Sequence, residues 1–352
     1  IQQLKPVIYT NIFIFIGFGM CLTMLVSRNL TIPFKEIIIT LRGVRNGRFD
    51  KKVQVTSNDE IGYTGDVINE MTAGLEERER MQQALNLAKE VQQNLLPKSN
   101  LKLNGFDIAG NSVYCDETGG DYYDFISIKD TDKQKIGVAI GDVSGHGISS
   151  ALLMATVRSS LRQRASLPGS TADIISDVNR QLVQDVEDSG QFMTMFFMVL
   201  TTESKQLEWV RAGHDPAIIY DPGSDSFSEL SGPGIALGVD GGWNFEENKK
   251  VDLSKGQIIF LSTDGVWEVR NKKGEMLGKE PILNTIQQYS SSDATQIIDS
   301  IFDTLEKFKD GAKIEDDITS VVIKIQNSSE GRTKSSLNIV IDNKYAPSKL
   351  PH

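Results

Sequence analysis

The sequence predicts an α+β chain: helices first, then a domain in which short strands alternate with helical segments. Three observations predict it. Between Lys5 and Arg28 lie 22 residues without a charge. From Pro33 to Leu96 apolar residues recur at helical spacing, interrupted at Gly47. From Phe106 to Ile325 the texture changes to short apolar runs that meet glycine–aspartate turns, with two helical regions among them.

Composition narrows the chemistry. The 47 Asp and Glu outnumber 37 Lys and Arg, for a net charge of −10, which argues against nucleic acid as a partner because phosphate backbones demand a basic surface. Cys21 and Cys115 are the only cysteines, too few for a disulfide framework or a multi-cysteine zinc site. The histidines are His146, His214 and His352, so a catalytic metal has to rest on carboxylates. Residues 1–52 hold eight Lys and Arg against two acids, a net of +6 that leaves −16 for the rest. A basic head on an acidic body fits a membrane-proximal start and a cytoplasmic remainder.

The charge-free stretch supplies the first element, a transmembrane helix over residues 1–27. At 1.5 Å per residue it reaches about 33 Å, against roughly 30 Å of hydrocarbon. Gly17 and Gly19 are ordinary within such a helix. Seven basic residues follow between Arg28 and Lys52, which places the C-terminal side in the cytoplasm and the helix in the inner membrane. A buried core helix seldom runs this long without a charge, and no small-residue cleavage site marks a signal peptide. The chain begins at Ile1, and a sensor segment ahead of it is expected.

Pro33 suits the first turn of a second helix, whose apolar stripe is Ile37, Ile38, Leu41 and Val44. Val53 and Val55 fall in a connector. Asn58 or Asp59 caps a third helix, in which Ile68, Met71 and Leu75 keep the spacing. With Asp59-Glu60-Ile61-Gly62 and Asn69-Glu70-Met71, the segment resembles a HAMP domain over residues 28–80, which implies a parallel four-helix bundle in a homodimer. A plain amphipathic spacer hairpin is the alternative. Met81, Leu85, Ala88 and Leu95 continue one face through a helical or coiled-coil linker at 81–97, stopped by Pro97. A helix lying on its own domain competes with that reading. No histidine precedes His146, which excludes a histidine kinase phosphoacceptor here.

In the body, Ile136-Gly137-Val138-Ala139-Ile140 reads as a strand running into Gly141-Asp142-Val143-Ser144-Gly145-His146-Gly147, then a helix from about Ile148 to Arg164. Ile258-Ile259-Phe260-Leu261 ends at Thr263-Asp264-Gly265, and Asp316-Asp317-Ile318-Thr319 opens a strand to Ile325. Gly119-Gly120-Asp121-Tyr122-Tyr123-Asp124-Phe125 leads into another through Ile128. Carboxylates at strand ends suit hard divalent cations, and glycine allows close approach to an ion, although Asp-Gly is also a common turn dipeptide.

These motifs, with Ala212-Gly213-His214 and the lead-in Val91-Gln92-Gln93-Asn94-Leu95-Leu96-Pro97, resemble PPM-type serine/threonine phosphatases of the bacterial SpoIIE/RsbU-like branch, over about residues 84–326. The resemblance implies an αββα β-sandwich for a phosphatase domain at 98–326 and a binuclear Mn²⁺ or Mg²⁺ centre. By position in the motifs it implies that Asp142 bridges both ions, with the Val143 carbonyl as a further ligand. Asp121 completes one ion, and Asp264 with Asp316, rather than Asp317, completes the other. Asp142 and Asp264 are the residues expected to matter most for catalysis.

The substrate implied is a phosphorylated signalling protein such as a STAS-domain anti-sigma-factor antagonist. A catalytically inactive phosphoprotein-docking module is the rival from another class, and a two-metal nucleotide cyclase the third reading. His146 stands open between acting on the leaving oxygen and serving the glycine turn, and His214 between a turn residue and a cleft-lining one. Cys115 has no partner that marks a nucleophile. Phe192, Met193, Met195, Phe196, Phe197 and Met198 read as a buried strand, Arg158, Arg162 and Arg164 as a solvated helix face, and Lys272-Lys273-Gly274-Glu275 as a hairpin turn. Residues 327–336 read as a polar linker, and Leu337-Asn338-Ile339-Val340-Ile341 as the start of a further, truncated domain, expected to be of the anti-sigma kinase-like kind.

Overall fold

The computed structural model describes residues 4–55, 58–98, 100–128, 134–202 and 204–327; the expected linker and strand beyond residue 327 lie outside the described residues. The chain divides into two compact units, Ile1–Leu87 and Ala88–His352.

In the first unit, helix α1 (Leu4–Val26) passes through a π-helical stretch, Ser27–Thr31, into α2 (Ile32–Arg45), with Pro33 in the first turn of α2. The run is long and apolar enough to cross a membrane, and none of its most apolar stretch is buried within the chain. α2 ends at Asn46, and Gly47 takes a left-handed φ of +71° that turns the chain away. Helix α3 (Glu60–Gln93) begins at Asp59, whose Oδ1 accepts the amides of Ile61 at 3.0 Å and Gly62 at 3.1 Å. Asn69 on α3 brackets the connector: its Oδ1 accepts Val53 N at 2.8 Å and its Nδ2 donates to Val53 O at 2.9 Å. Ile37, Val53 and Ile68 close a small core from α2, connector and α3. Ile38, Leu41, Val67 and Met71 remain exposed in the single chain.

The second unit is a sandwich of two antiparallel sheets. One has strand order β1 (Leu101–Leu103), β2 (Phe106–Val113), β11 (Ile318–Ile325), β10 (Ile258–Ser262), β7 (Ala217–Asp221), β8 (Ser226–Leu230); the other has β3 (Tyr122–Ile128), β4 (Lys135–Val143), β5 (Met193–Thr201), β6 (Gln206–Ala212), β9 (Asn248–Lys250). The central strands are apolar at nearly every position because both of their faces are buried. In β5, Phe196, Met198 and Leu200 enter the core between the sheets. The intervening Met195, Phe197 and Val199 pack towards helices α4 (Ile148–Ala165) and α5 (Thr171–Val186). On the far side, Ile258, Phe260 and Val322 pack against α7 (Glu280–Gln288) and α8 (Ala294–Lys309). The layers are therefore αββα, as expected.

Two local expectations are corrected. Phe192 lies before β5 and is 39% exposed, because it leaves the sheet to exchange hydrogen bonds with Ser144. The arginines of α4 are not a solvated face. Arg162 pairs with the fully buried Asp124 through Nε and Nη2, both at 2.6 Å. Arg158 donates to Leu95 O at 2.8 Å, and Arg164 to Asp177 at 2.6 Å.

Candidate active site

Four aspartates reach one end of the sandwich from both sheets. Asp121 precedes β3, Asp142 is the penultimate residue of β4, Asp264 joins β10 to the short helix α6 (Gly265–Glu268), and Asp316 precedes β11. Each sits where a buried strand emerges, so the register of apolar residues fixes the position of the carboxylate.

The cluster is electrostatically crowded. Burial, then the charges of Asp142 and Asp317, push the Asp121 carboxyl well above the ordinary carboxylate range. Burial and the charges of Asp264, Asp316 and Asp317 push Asp142 up to about 8. Asp264 is raised by burial and then Asp316, and Asp316 by burial, then Asp317 and Glu268. Asp142 is thus within electrostatic reach of both Asp121 and the Asp264–Asp316 pair, and Asp317 reaches Asp121, Asp142 and Asp316. Among the described residues, no three His, Cys, Asp or Glu side chains form a ready-made cage for an ion.

Their surroundings separate the two adjacent aspartates. Asp317 is buried, and its carboxylate is committed to backbone: Oδ1 accepts Cys115 N at 2.9 Å, and Oδ2 accepts Gly120 N at 2.8 Å and Asp121 N at 3.4 Å. Asp316 accepts Asp317 N at 2.8 Å through Oδ1. It lines a small cavity of about 80 Å³ with Gly265, Glu268 and Arg270. A Cβ on Gly265 would stand 1.9 Å from Asp317 O, and one on Gly120 2.9 Å from Val143 O. The glycines beside the aspartates therefore admit backbone oxygens into the site.

Thr263 ties the two sheets at the cluster. Its Oγ1 donates to Asp121 Oδ2 at 2.8 Å and accepts Thr319 N at 3.1 Å. Gln92, near the end of α3, donates to Gly119 O at 2.6 Å and accepts Gly119 N at 3.2 Å through Oε1. Neither role was assigned from sequence. Thr263 stands within a motif already singled out, whereas the partner of Gln92 lies 27 residues away and leaves no local signal. Tyr114, after β2, has its phenol pushed above its ordinary value by burial, then by Asp121 and Asp317. Burial and Asp317 push the Cys115 thiol up to about 12, which leaves it unreactive as a nucleophile.

His146 is exposed between Gly145 (φ +86°) and Gly147 (φ +83°). Its Nδ1 lies 3.3 Å from Asp116 Oδ2, and Lys313 Nζ reaches Asp116 Oδ1 at the same distance. His214 is buried. It spans the two sheets, with Nε2 3.1 Å from Ser262 O and Nδ1 2.9 Å from Thr194 Oγ1. A carbonyl accepts only, so Nε2 carries the proton and Nδ1 takes that of Thr194. Burial drives the His214 pKa down to about 4. It is a neutral tie between β5 and β10, and it does not line the cleft.

The donor set suits a hard divalent cation: carboxylates and a backbone carbonyl, with anions as the dominant charges on one another. Comparison with known proteins places the chain in a family. A family model described as Stage II sporulation protein E (SpoIIE) matches residues 132–326. Phosphoserine phosphatase RsbU of Bacillus subtilis (strain 168) is 29% identical over 247 residues, covering 70% of this chain and 71% of RsbU. Protein IcfG of Synechocystis sp. is 25% identical over 345 residues, 85% of this chain but 52% of its own length. The solved SiaA-PP2C domain of Pseudomonas aeruginosa superposes with a TM-score of 0.60 at 19% identity, over 71% of this chain and 99% of that one, and so shares the fold.

Proposed function

The chain belongs to the SpoIIE family, and from that premise we propose that it is a membrane-anchored, signal-controlled protein-serine/threonine phosphatase using two Mn²⁺ or Mg²⁺ ions. The observation that carries the proposal is the convergence of Asp121, Asp142, Asp264 and Asp316 from both sheets, with burial and mutual charge raising all four carboxyls.

Bound divalent ions supply charge neutralisation for the phosphoryl group and a water nucleophile at neutral pH. The chain's own residues do the rest. Asp142, within reach of Asp121 on one side and of Asp264 and Asp316 on the other, would be shared by both ions, whereas Asp317 is committed to backbone amides. Asp121, which Thr263 hydrogen-bonds, would hold one ion. Asp264 and Asp316 would hold the other, while Asp317 holds the Gly119–Asp121 loop through its amides. The Val143 carbonyl, beside side-chain-free Gly120, would be the backbone ligand. His146, paired with Asp116 and exposed, would act on the leaving group of a protein substrate or serve the glycine turn.

Residues 28–80 act as a HAMP unit that dimerises. Ile38, Leu41, Val67 and Met71, exposed in one chain, would be covered by the second copy. The linker helix carries the signal, and its last turns are fastened to the catalytic unit by Gln92 and by Arg158 on Leu95 O. α1 anchors the chain in the inner membrane with the phosphatase domain in the cytoplasm. RsbU is named a phosphoserine phosphatase, and a phosphorylated regulatory protein such as a STAS-domain anti-sigma-factor antagonist is the substrate class that fits. The test is phosphate release from a phosphoseryl protein by the full chain in detergent: dependence on Mn²⁺ or Mg²⁺ and loss with EDTA are expected, and release unaffected by EDTA contradicts the reading.

A further inference from the structure

One buried polar atom beside the carboxylate cluster has no protein partner. Tyr114 Oη is buried and makes no hydrogen bond. Ser112 Oγ, which lowers the phenol's pKa as a hydrogen-bonding neighbour, makes no bond of ordinary geometry to it and is engaged with Thr319 Oγ1 at 2.7 Å. The ring is fixed in place: a Cβ on Gly119 would stand 2.3 Å from Tyr114 Cδ1 and 2.1 Å from Asp317 Oδ2. Ring and carboxylate therefore both press on a glycine that has no room for a side chain, two residues before Asp121. Of the charges that reach the phenol, Asp121 is the largest and Asp317 the next.

A buried hydroxyl without a partner costs about 1–3 kcal/mol, and such a group calls for a water, a catalytic role or an ion to account for it. Carboxylates that bind metals are themselves held by outer hydrogen bonds, and loss of one such partner lowers metal affinity about 10–100-fold. Thr263 Oγ1 already gives Asp121 Oδ2 one such bond at 2.8 Å. We infer that Tyr114 is the second: a positioning residue whose hydroxyl donates to the Asp121 carboxylate when that carboxylate ligates a divalent cation. The inference rests on the metal-dependent reading above and adds a residue to it.

The experiment is calorimetric Mn²⁺ titration of the full chain in detergent, as parent, Tyr114→Phe and Thr263→Val, with denaturant unfolding of each in EDTA. Phenylalanine keeps the ring packing and deletes only the donor. Tyr114→Phe is expected to bind Mn²⁺ about ten-fold or more weakly, with stability in EDTA equal to or above that of the parent, because the deleted hydroxyl has no protein partner. Thr263→Val, which removes a bond made within the chain, is expected to lose on both measures. Mn²⁺ affinity of Tyr114→Phe within about two-fold of a parent that binds, below the range for an outer partner, overturns the inference alone. A loss of stability in EDTA matching that of Thr263→Val also overturns it, since the hydroxyl would then be structural. A folded parent that binds no Mn²⁺ overturns the metal-dependent reading itself, and this inference with it.

Discussion

Asp317 Oδ2 accepts the amide of Gly120 at 2.8 Å across 197 residues of chain, so one of two adjacent aspartates is spent on backbone while the other faces the cluster. This division gives different fates to the two substitutions. Asp317→Ala strips three backbone amides of their acceptor and should destabilise the domain by about 2–3 kcal/mol, as bonds to a buried charged group do. Asp316→Asn should leave stability in EDTA at or above the parent's, because it relieves repulsion, while Mn²⁺-dependent turnover is lost. Urea unfolding and phosphate release, run on both variants, check the pair. Equal stability with equal activity loss would contradict the division.

Gly265→Ala places a Cβ 1.9 Å from a backbone oxygen, Asp317 O, where no side-chain rotation relieves the contact. The variant should fold with its β10–α6 turn displaced, moving Asp264. Mn²⁺ affinity measured by calorimetry is expected to fall at least about ten-fold, as it does when ligand positioning is lost. Gly74→Ala, in the middle of α3 with an ordinary helical backbone and nothing within 4 Å of an added Cβ, serves as the control and should retain parental affinity.

Removing Arg162 leaves Asp124 buried without its bidentate partner. Arg162 is itself partly exposed, and Tyr122 and Arg158 remain beside Asp124, so Arg162→Met should cost about 1.5–3 kcal/mol, the range for hydrogen bonds to a charged group, read by denaturant unfolding. A loss below about 1 kcal/mol, typical of exposed pairs, would show that the pair behaves as a surface contact.

His214 predicts a pH dependence. Its pKa in the folded chain is about 4 against an ordinary 6.5, so the unfolded state takes up a proton first and stability falls as pH drops from about 6.5 towards about 4. By about pH 5 this one group removes about 2 kcal/mol relative to neutral pH. His214→Asn should be less stable at neutral pH and should flatten that part of the profile. Parallel profiles for parent and variant would contradict the assignment.

How far the sequence was legible depended on burial. β4, β5 and β10 announced themselves because both faces are covered, and the aspartates at their ends stood out against apolar runs. β8 and β9, Ser226–Leu230 and Asn248–Lys250, are largely exposed edges with no apolar signal. Among the helices of the second unit the sequence bounds only α4, although α5, α7 and α8 each bury an apolar stripe. Within the site, residue types and glycine neighbours pointed to Asp121, Asp142, Asp264 and Asp316. Roles set by distant partners were not readable: Asp317 on Gly120, Gln92 on Gly119, and Arg162 on Asp124 across 38 residues. Those depend on which strand ends meet, which only the folded sandwich decides.

The most direct test of the central claim is phosphate release from a phosphoseryl protein by the full chain in detergent with Mn²⁺, comparing the parent with Asp142→Asn. The account predicts metal-dependent release by the parent. It predicts a fall of more than about 100-fold in the variant, beyond what loss of an outer partner produces, with circular dichroism unchanged. Undiminished release by Asp142→Asn, or none from a folded, Mn²⁺-supplied parent, would contradict it.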